Sequence, residues 1–495
     1  MENLLHFFEN KTILVTGATG FLAKILVEKL LRVQPKVEKL YLVLRAPDGD
    51  SARKRLHDEV IGKELFSVLR EILGKDFDLF IREKVVAVPG DIGKKDMGIE
   101  DLNLRQEMFE SIDIIVNSAA TTNFDERYDI SLAINTMGVL HMLSFAQKCI
   151  KLKILLHVST AYVCGERKGL IEEKAFYIGE TLKKTNSKLD YKVEGKLVVQ
   201  KLNELRAKET SKEAIIATMK DFGMKRAKKF GWPNTYVFTK AMGEMCLQQS
   251  CDQVDNLSIA IVRPTMITST IKDPFPGWIE GLRTVDSVLI GCGKGKLTTL
   301  LGSRSLILDL IPADMVVSAI IMAIVAHAHA NQASGTIYHV GSSLRNPLDI
   351  AQLHKVVTEH FIENPLMNKN GNPIRVTKVT FLNTMARFRM YMTIRAILPL
   401  KILQLVNIAC FHCFQDMYNA NKRKVNQVMR LVELYKPYLL FKGVFDDKNS
   451  ETLRQRAKEI YNMEMMQAFD FDPASIDWED YIITEISGLK KYVIK

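Results

Sequence analysis

A tyrosine and a lysine, Tyr236 and Lys240, are the side chains whose types and spacing most directly predict chemistry. They lie four residues apart in a segment with a helical pattern, so both side chains fall on one face of the predicted helix. A nearby ammonium would favour the tyrosinate and lower the pKa of the phenol, which makes Tyr236 a candidate general acid. The pair predicts an acid–base centre.

Two hydroxyl side chains, Ser159 and Thr160, follow a predicted strand at residues 154–158. From the end of a strand, the Thr160 hydroxyl could polarise a carbonyl group that Tyr236 protonates. Asn135, on the preceding predicted helix, is a candidate for orienting a water molecule or the lysine, and a purely structural role remains an equal alternative. These residues together predict the reduction of a carbonyl group.

The first 160 residues contain the elements that would position these side chains. Short β-branched segments alternate there with longer helical patterns, which is typical of βαβ units and a parallel sheet. The predicted strands are residues 12–16, 39–44, 84–88, 112–116 and 154–158, and the predicted helices are residues 21–33, 52–73 and 128–150. The fold class predicted is therefore α/β, a Rossmann-type doubly wound parallel sheet. Later helices are predicted at residues 234–249 and 313–330, with strands at 258–262 and 336–340.

A glycine-rich turn follows the first predicted strand and precedes a helix. Its glycines would let the backbone approach a pyrophosphate, and the helix N-terminus would face the negative charge. The residues predicted to hold a dinucleotide here are Thr16, Gly17, Thr19, Gly20, Phe21, Leu22 and Ala23.

The end of the second predicted strand distinguishes between the two nicotinamide cofactors. An acidic residue there would bind the ribose 2′-hydroxyl of NAD, but this chain has Arg45, whose guanidinium suits a 2′-phosphate. The alternative is a surface arginine. Asp91 and Ile92 after the third strand, and Ala119 after the fourth, are further predicted contacts. With Tyr236 and Lys240 at the nicotinamide ribose, the cofactor predicted is NADPH, and no metal site is predicted.

The remaining chain has a different organisation. A Lys-rich helical insertion is predicted at about residues 166–230, and from residue 366 long helical patterns replace the βαβ alternation. We therefore predict a reductase domain at 1–365 and a mostly helical C-terminal domain at 366–495. The net charge of +11 is compatible with anionic partners, and much of it lies in the insertion. No nucleic-acid-binding motif accompanies it, so no nucleic-acid partner is predicted.

Targeting signals are not predicted. About ten residues precede the first strand, which leaves no room for a signal or transit peptide. The apolar segment 390–414 is interrupted by Arg395 and Lys401, which favours a peripheral membrane contact over a spanning helix.

The ordered motifs resemble the extended short-chain dehydrogenase/reductases, and more closely the alcohol-forming fatty acyl-CoA reductases of plants. The resemblance covers nearly the whole chain. It is carried by KTILVTGATGFLAK, KLYLVLRA, VPGDI, HVSTAYVCGE, GWPNTYVFTKAMGEM, IVRPTMITST, PFPGWIEGLRTVDSV, IPADMVV, YHVGSS, YKPYLLFKGVFDD and FDFDPASIDWEDY.

The resemblance implies a four-electron reduction of a long-chain acyl-CoA to a primary alcohol, with two NADPH and a bound aldehyde, for wax, suberin or cutin-type lipids. It implies roles for Gly17, Gly20 and Ala23 in the dinucleotide turn and for Thr160, Tyr236 and Lys240 in chemistry. It also implies a place on the cytosolic face of the endoplasmic reticulum membrane. Two alternatives remain: another carbonyl reductase of the same superfamily, or a membrane-associated scaffold with weak activity.

Overall fold

The computed structural model describes residues 4–251, 257–329, 334–376, 379–460 and 463–494. The strands within these ranges are β1 Thr12–Thr16, β2 Lys39–Leu44, β3 Val85–Pro89, β4 Ile114–Asn117, β5 Ile154–Val158, β6 Lys168–Ile171, β7 Ser258–Pro264, β8 Met266–Thr268, β9 Thr299–Leu301, β10 Ile307–Leu308, β11 Leu310–Pro312, β12 Thr336–Val340, β13 Leu348–Asp349, β14 Thr380–Leu382 and β15 Lys442–Phe445.

The α-helices are, in chain order, α1 Leu4–Phe7, α2 Phe21–Val33, α3 Gly49–Leu56, α4 Ser67–Leu73, α5 Phe77–Lys84, α6 Leu102–Ser111, α7 Tyr128–Leu132, α8 Gly138–Ala146, α9 Tyr191–Ala207, α10 Lys212–Phe230, α11 Thr235–Cys251, α12 Thr284–Gly293, α13 Ala313–His329, α14 Ile350–Glu363, α15 Met385–Met392, α16 Leu398–Ala409, α17 Gln415–Leu439, α18 Lys448–Ile460, α19 Met463–Ala468 and α20 Trp478–Gly488.

The central element is a seven-stranded sheet with the order β12-β7-β5-β4-β1-β2-β3, in which every neighbouring pair is parallel. The chain winds outward in one direction from β1 through β2 and β3, and in the other through β4 and β5. The strand order therefore reverses between β1 and β4, and ligands of such sheets bind outside the carboxyl ends of the strands at that point. The predicted Rossmann-type α/β fold is confirmed.

The five predicted N-terminal strands are present, three with the predicted bounds and two displaced by one or two residues. The single helix predicted at 52–73 is wrong. α3 ends at Leu56, a wide helical turn runs over His57–Ile61, and Gly62 closes it before α4 begins. The helix predicted at 128–150 ends at Ala146 and includes a wide turn at Ala133–Met137. The helix predicted at 313–330 is described to His329, and residue 330 lies outside the described residues.

The insertion and the C-terminal region contain short strands that the helical predictions missed. β6, at the start of the insertion, pairs with β15 near the C-terminus, and β9 pairs with β14. These strands are only three or four residues long, and their partners lie far away in sequence, so local patterning gives no sign of them. The C-terminal region is nevertheless mostly helical, and its strands β14 and β15 form two small separate sheets with β9 and β6 of the preceding region.

Both faces of the sheet are buried, as a parallel sheet requires. Ile13 and Val15 pack into one hydrophobic cluster with α2 and α13, whereas Leu14 points into a second cluster with α8. A third cluster joins α11 and the insertion helices to Tyr438 and Phe445 of the C-terminal region. The C-terminal region is therefore held against the helix that carries Tyr236 and Lys240.

Two helical segments are long and apolar enough to cross a membrane, as judged by length and composition among the described residues. Tyr128–Ala146 is about half buried inside the protein. Met385–Ala409, which comprises α15, a wide turn and α16, is almost entirely exposed. Met385–Ala409 therefore meets the length and composition criterion for a membrane-spanning helix, whereas its charges favour a peripheral contact in the sequence analysis.

Candidate active site

The predicted site residues meet at the carboxyl ends of the sheet strands, around a cavity of about 1070 Å³. All of the predicted residues except Thr16 and Asn135 line this cavity. Its wall includes Gly17, Thr19, Gly20, Phe21, Leu22, Ala23, Arg45, Asp91, Ile92, Ala119, Ser159, Thr160, Tyr236 and Lys240. The doubly wound fold brings these residues together because each follows the end of a different strand or, for Tyr236 and Lys240, lies on the helix beside them.

The turn after β1 forms a cradle that a side chain would fill. Gly17 has a φ of +74°, and a Cβ at this position would lie 2.7 Å from Ala119 Cα. Gly20 donates its N–H to Gly17 O at 2.7 Å and precedes the first turn of α2. The free N–H groups at the start of α2 face the cavity side of the sheet, where they can bind phosphate oxygens. This turn has the close backbone approach and the free N–H groups that a dinucleotide pyrophosphate would need.

Thr16 is fully buried behind the turn and acts through other residues. Its hydroxyl accepts the Ala119 N–H at 3.1 Å and donates to Asn117 Oδ1 at 2.8 Å. The contact fixes the end of β1 against the end of β4. Thr16 therefore shapes the dinucleotide site from behind.

The end of β2 presents two guanidinium groups to the cavity, one of which the sequence patterns missed. Arg45 is exposed, and its carbonyl oxygen accepts a hydrogen bond from Arg55 Nη1 at 2.6 Å. Arg55 is held by Glu59 through bonds of 2.6 and 2.8 Å. Asp91 lies opposite on the next strand end and uses Oδ1 to accept the Gly93 N–H at 2.9 Å.

The hydroxyl groups at the end of β5 lie beside the tyrosine. Thr160 hydrogen-bonds the Tyr236 hydroxyl, and this contact works to lower the pKa of the phenol. Loss of water around the phenol is the stronger effect and raises its pKa to about 12. Ser159 Oγ is buried and has no hydrogen-bond partner among the described residues. A buried hydroxyl without a partner fits a site that awaits a polar group of a ligand.

Lys240 is completely buried and contacts β5. Its Nζ donates to Val158 O at 2.7 Å and lies 3.1 Å from His157 Nε2. Burial lowers the pKa of Lys240 to about 8. The prediction that this ammonium lowers the pKa of Tyr236 is wrong for this arrangement. Because Lys240 Nζ is directed to β5, loss of water around the Tyr236 hydroxyl has the largest effect on the pKa of the phenol.

Asn135 does not contact Lys240. Its Oδ1 accepts the Thr121 N–H at 3.0 Å, and its Nδ2 donates to Thr121 O and to Thr239 Oγ1 at 3.1 and 3.0 Å. Because both polar atoms of its side chain are used in these hydrogen bonds, Asn135 joins the loop after β4 to α11. The wide helical turn at Ala133–Met137 directs the Asn135 side chain to these partners. A regular helical pattern in the sequence could not have indicated this direction.

The C-terminal region contributes an aromatic wall that sequence reasoning missed. Tyr435 and Tyr438 of α17 line the cavity. The Tyr438 ring stacks on Phe124 and the Tyr435 ring contacts it at a tilt of 55°, while Phe124 in turn stacks on Tyr236 at 5.6 Å. Asn234 Nδ2 donates to the Tyr438 hydroxyl at 2.9 Å. The i, i+3 spacing of the two tyrosines in YKPYLLFKGVFDD was an available signal for one shared helix face.

The segment before α12 closes the other end of the cavity. Trp278 stacks on Phe21 of the dinucleotide turn at 5.2 Å, and the Arg283 guanidinium lies 4.1 Å from the Phe21 ring centroid. Arg283 lines the cavity and was also missed. It places a cation beside the turn after β1.

Comparisons with known proteins agree with this architecture. Two family models described as "Male sterility protein" match residues 15–320 and 395–495. The chain is 55% identical to "Fatty acyl-CoA reductase 1" of Arabidopsis thaliana, over all of this chain and 99% of that protein. It is 51% identical to "Alcohol-forming fatty acyl-CoA reductase" of Simmondsia chinensis, over all of this chain and 99% of that protein.

Among solved structures, the reductase (R) domain of a nonribosomal peptide synthetase from Mycobacterium tuberculosis superimposes with a TM-score of 0.58 at 18% identity, over 97% of this chain and 91% of that one. This likeness concerns the fold alone. Together with the full-length identities above 50%, the cavity and its dinucleotide turn lead to one assignment. The chain belongs to the family of fatty acyl-CoA reductases.

Proposed function

We propose that this protein reduces a long-chain fatty acyl-CoA to the primary fatty alcohol and free CoA, with two NADPH and through an aldehyde that stays bound. The observation that carries the proposal is the single cavity in which Tyr236 and Thr160 lie between the dinucleotide turn and the aromatic wall of α17. Cofactor and acyl group can thus approach the same hydroxyl pair from opposite ends. Alcohols of this kind serve wax, suberin or cutin-type lipids.

The side chains of this site act on the carbonyl oxygen. The Thr160 hydroxyl, supported by the unpartnered Ser159 hydroxyl, holds that oxygen by hydrogen bonding. Bound NADPH supplies hydride to the carbonyl carbon. Tyr236, whose pKa is raised to about 12 by burial, keeps its proton at neutral pH and donates it to the developing alkoxide. Lys240 binds the nicotinamide ribose beside Tyr236.

The same residues serve both reductions. The first gives a thiohemiacetal, whose hydroxyl returns its proton to the Tyr236 phenolate as the C–S bond breaks to leave CoA thiolate and an aldehyde. The second adds hydride to the aldehyde carbon and a proton from Tyr236 to its oxygen, which gives the alcohol. The packed rings of Phe124, Tyr435 and Tyr438 exclude water around the aldehyde and keep it from leaving between the steps.

The choice of NADPH over NADH rests on the end of β2. Arg45 and Arg55 both line the cavity there, and the bond from Arg55 Nη1 to the backbone carbonyl of Arg45 holds the Arg55 guanidinium beside the end of β2. Two guanidinium groups suit the doubly charged 2′-phosphate, which NADH lacks. At the other end, Lys220 of the insertion and Arg430 of α17 line the cavity mouth and suit the phosphates of CoA.

The activity is tested with the purified protein, palmitoyl-CoA and stearoyl-CoA as substrates, and NADPH. We expect hexadecanol and octadecanol as products, with two NADPH oxidised for each alcohol formed. Expression in a host without fatty alcohols, followed by lipid profiling, gives the preferred chain length. Release of aldehyde with one NADPH oxidised would contradict the bound intermediate, and no product from soluble, cofactor-binding protein would contradict the proposed function.

We further propose that α15 and α16 rest on a membrane surface, which we place at the cytosolic face of the endoplasmic reticulum. Apolar side chains recur every three to four residues along this segment and are 47–67% exposed: Met390, Ile394, Leu398, Ile402 and Leu405. Arg387, Arg395 and Lys401 lie among them, as in helices that bind anionic lipid. α16 packs against α17, so bound lipid would lie next to the cavity wall.

Replacing Ile402 and Leu405 together by glutamate is expected to lower binding to phosphatidylcholine–phosphatidylserine vesicles by at least about tenfold, because each change removes about 2 kcal/mol of apolar burial and adds a negative charge. Vesicle flotation measures the effect. The matched control is Ile72→Glu with Leu79→Glu, which changes equally exposed residues elsewhere. An equal loss of vesicle binding in both double variants would contradict the proposed membrane surface on α15 and α16. Resistance of the wild type to carbonate extraction would indicate a membrane-spanning segment instead.

A further inference from the structure

The guanidinium of Arg283 lies beside the turn after β1 and has no part in the reaction proposed above. Arg283 lines the same cavity as Gly17 and Gly20 of that turn, and its Cζ atom lies 4.1 Å from the Phe21 ring centroid. The residue is exposed, so a ligand in the cavity can reach its charged group. Within the described ranges, no acidic side chain forms an ion pair with this guanidinium.

The carboxylates that act on Arg283 through their charge have other partners. They are Glu280 and Asp286. Glu280 accepts two hydrogen bonds from Lys24 Nζ, at 2.5 and 2.7 Å, so its charge is neutralised by the lysine. Asp286 accepts the Arg283 backbone N–H at 2.8 Å and so places its charge at the N-terminus of α12. The Arg283 guanidinium therefore remains available to an anionic ligand.

The segment that carries Arg283 is fixed in the protein. The Thr270 N–H donates to Trp278 O at 3.1 Å, and the Trp278 N–H donates to Thr270 Oγ1 at 2.9 Å. Trp278 also stacks on Phe21 at 5.2 Å, and Asp286 holds the backbone of Arg283 on the other side. Because both ends are held, the guanidinium has a defined place before a ligand binds, and little conformational entropy is lost on binding.

The turn after β1 offers N–H groups but no cation of its own. Its residues 17–23, GATGFLA, have no charged side chain, and Lys24, which follows, is paired with Glu280. A pyrophosphate has two negative charges, whereas the N-terminus of a helix is equivalent to about half a positive charge. A pyrophosphate in this turn therefore calls for a cation from another part of the chain.

Six cationic side chains line the cavity within the part of the chain that the structure describes: Arg45, Arg55, Lys220, Lys240, Arg283 and Arg430. The proposed function uses the two arginines beside β2, the lysine of the reactive pair and the two cations at the cavity mouth. Arg283 is left, and it is the one that contacts a residue of the turn.

We propose that Arg283 binds the pyrophosphate of the dinucleotide, together with the N–H groups at the start of α2. A guanidinium suits this group because its planar fork can bond two phosphate oxygens at once. NADPH and NADH share the pyrophosphate, so Arg283 contributes to the affinity for both, whereas Arg45 and Arg55 distinguish between them. The inference rests on the proposed function in taking this turn as the cofactor site.

The proposal is tested with two fragments of the cofactor, whose dissociation constants are measured by isothermal titration calorimetry. ADP-ribose contains the pyrophosphate but no 2′-phosphate, and adenosine 2′-monophosphate contains the 2′-phosphate but no pyrophosphate. Arg283→Met keeps an aliphatic contact with the Phe21 ring and removes the charge. We expect it to raise the Kd for ADP-ribose by about tenfold or more and to leave the Kd for adenosine 2′-monophosphate within about twofold. Joint replacement of Arg45 and Arg55 by alanine should give the opposite pattern.

Arg304→Met is the matched control. Arg304 is also exposed and its guanidinium also lies over a phenylalanine ring, that of Phe381, but it is not among the residues that line the cavity. We expect this variant to bind both fragments as the wild type does. Thermal unfolding reports whether each variant folds, and Arg283→Gln, which also removes the charge, repeats the test if Arg283→Met does not fold.

Unchanged affinity for ADP-ribose in a folded variant without the Arg283 charge would overturn the proposal. An equal loss of affinity for both fragments would also overturn it, because the arginine would then support the fold of the turn. CoA contains a pyrophosphate too, so free CoA is titrated in parallel. A loss of affinity for CoA with that for ADP-ribose unchanged would assign the guanidinium to the acyl carrier and overturn the proposal.

These measurements need no acyl substrate and no turnover. A wild type that binds both fragments but forms no alcohol would contradict the proposed function. The selective loss of ADP-ribose affinity in Arg283→Met would still support the binding of the pyrophosphate by Arg283. The failure of one proposal is thus distinguishable from the failure of the other.

Discussion

Replacing Tyr236 by phenylalanine is expected to lower kcat for alcohol formation by about 10³-fold, within the range for removal of a general acid. The substitution deletes only the hydroxyl that Thr160 hydrogen-bonds and leaves the ring stacked on Phe124. NADPH affinity should change little, because the loss concerns protonation of the alkoxide. Single-turnover measurements with acyl-CoA, and separately with the aldehyde, should show the loss in both reductions.

Tyr435→Phe is the matched control for this experiment. Tyr435 lines the same cavity and contacts the same Phe124 ring, but it has no assigned part in proton transfer. We expect its kcat to remain within about threefold of the wild type, since the stacking surface is preserved. If Tyr236→Phe retained a tenth of wild-type activity, another group would have to be the acid. A defect in the aldehyde step alone would contradict the use of one tyrosine for both steps.

Replacing Arg45 and Arg55 together by alanine is expected to raise the KM for NADPH by about 100-fold and to leave the KM for NADH nearly unchanged. Each guanidinium that binds the 2′-phosphate contributes about 1.5–3 kcal/mol, or roughly tenfold or more. Arg45 follows β2 and Arg55 lies on α3, and neither has a part in proton transfer, so kcat at saturating cofactor should be preserved. Initial rates with each cofactor over a range of concentrations give both constants.

The control for charge is Arg53→Ala, which removes a neighbouring exposed guanidinium on α3 that pairs with Asp50. It should leave both KM values within about twofold, because an exposed ion pair on the surface contributes little. Equal increases in the KM for NADPH and NADH in the double variant would show that the two arginines support the local fold around the end of β2 and α3. The assignment of the 2′-phosphate would then be withdrawn.

Much of the site was predictable because its signals are local. The strand, GxxGxxA turn and helix at residues 12–33 follow from hydrophobic patterning and glycine spacing, and the same is true of Tyr236 and Lys240 on one helix face. The convergence of Arg45, Asp91, Ala119 and Thr160 also followed, since the ends of parallel strands meet at one edge. These inferences needed neighbouring residues and one general rule of topology.

Other features could not be predicted because they depend on contacts between distant parts of the chain. The pairing of β6 with β15 and the position of Tyr438 against Phe124 join segments separated by most of the chain. The pKa of Tyr236 was predicted in the wrong direction, since spacing on a helix does not reveal that Lys240 Nζ turns to Val158 O and His157. The division at residue 365 stays a prediction.

The sequence by itself determined the α/β fold, and it predicted the dinucleotide turn and the reactive pair, because hydrophobic periodicity and turn chemistry act over a few residues. Only the tertiary structure decided which groups surround that pair: the aromatic wall from α17, the second arginine that α3 places beside the end of β2, and the contacts of Lys240 with Val158 O and His157. Burial and hydrogen-bond direction set the charge of a side chain, and both are properties of the folded surroundings.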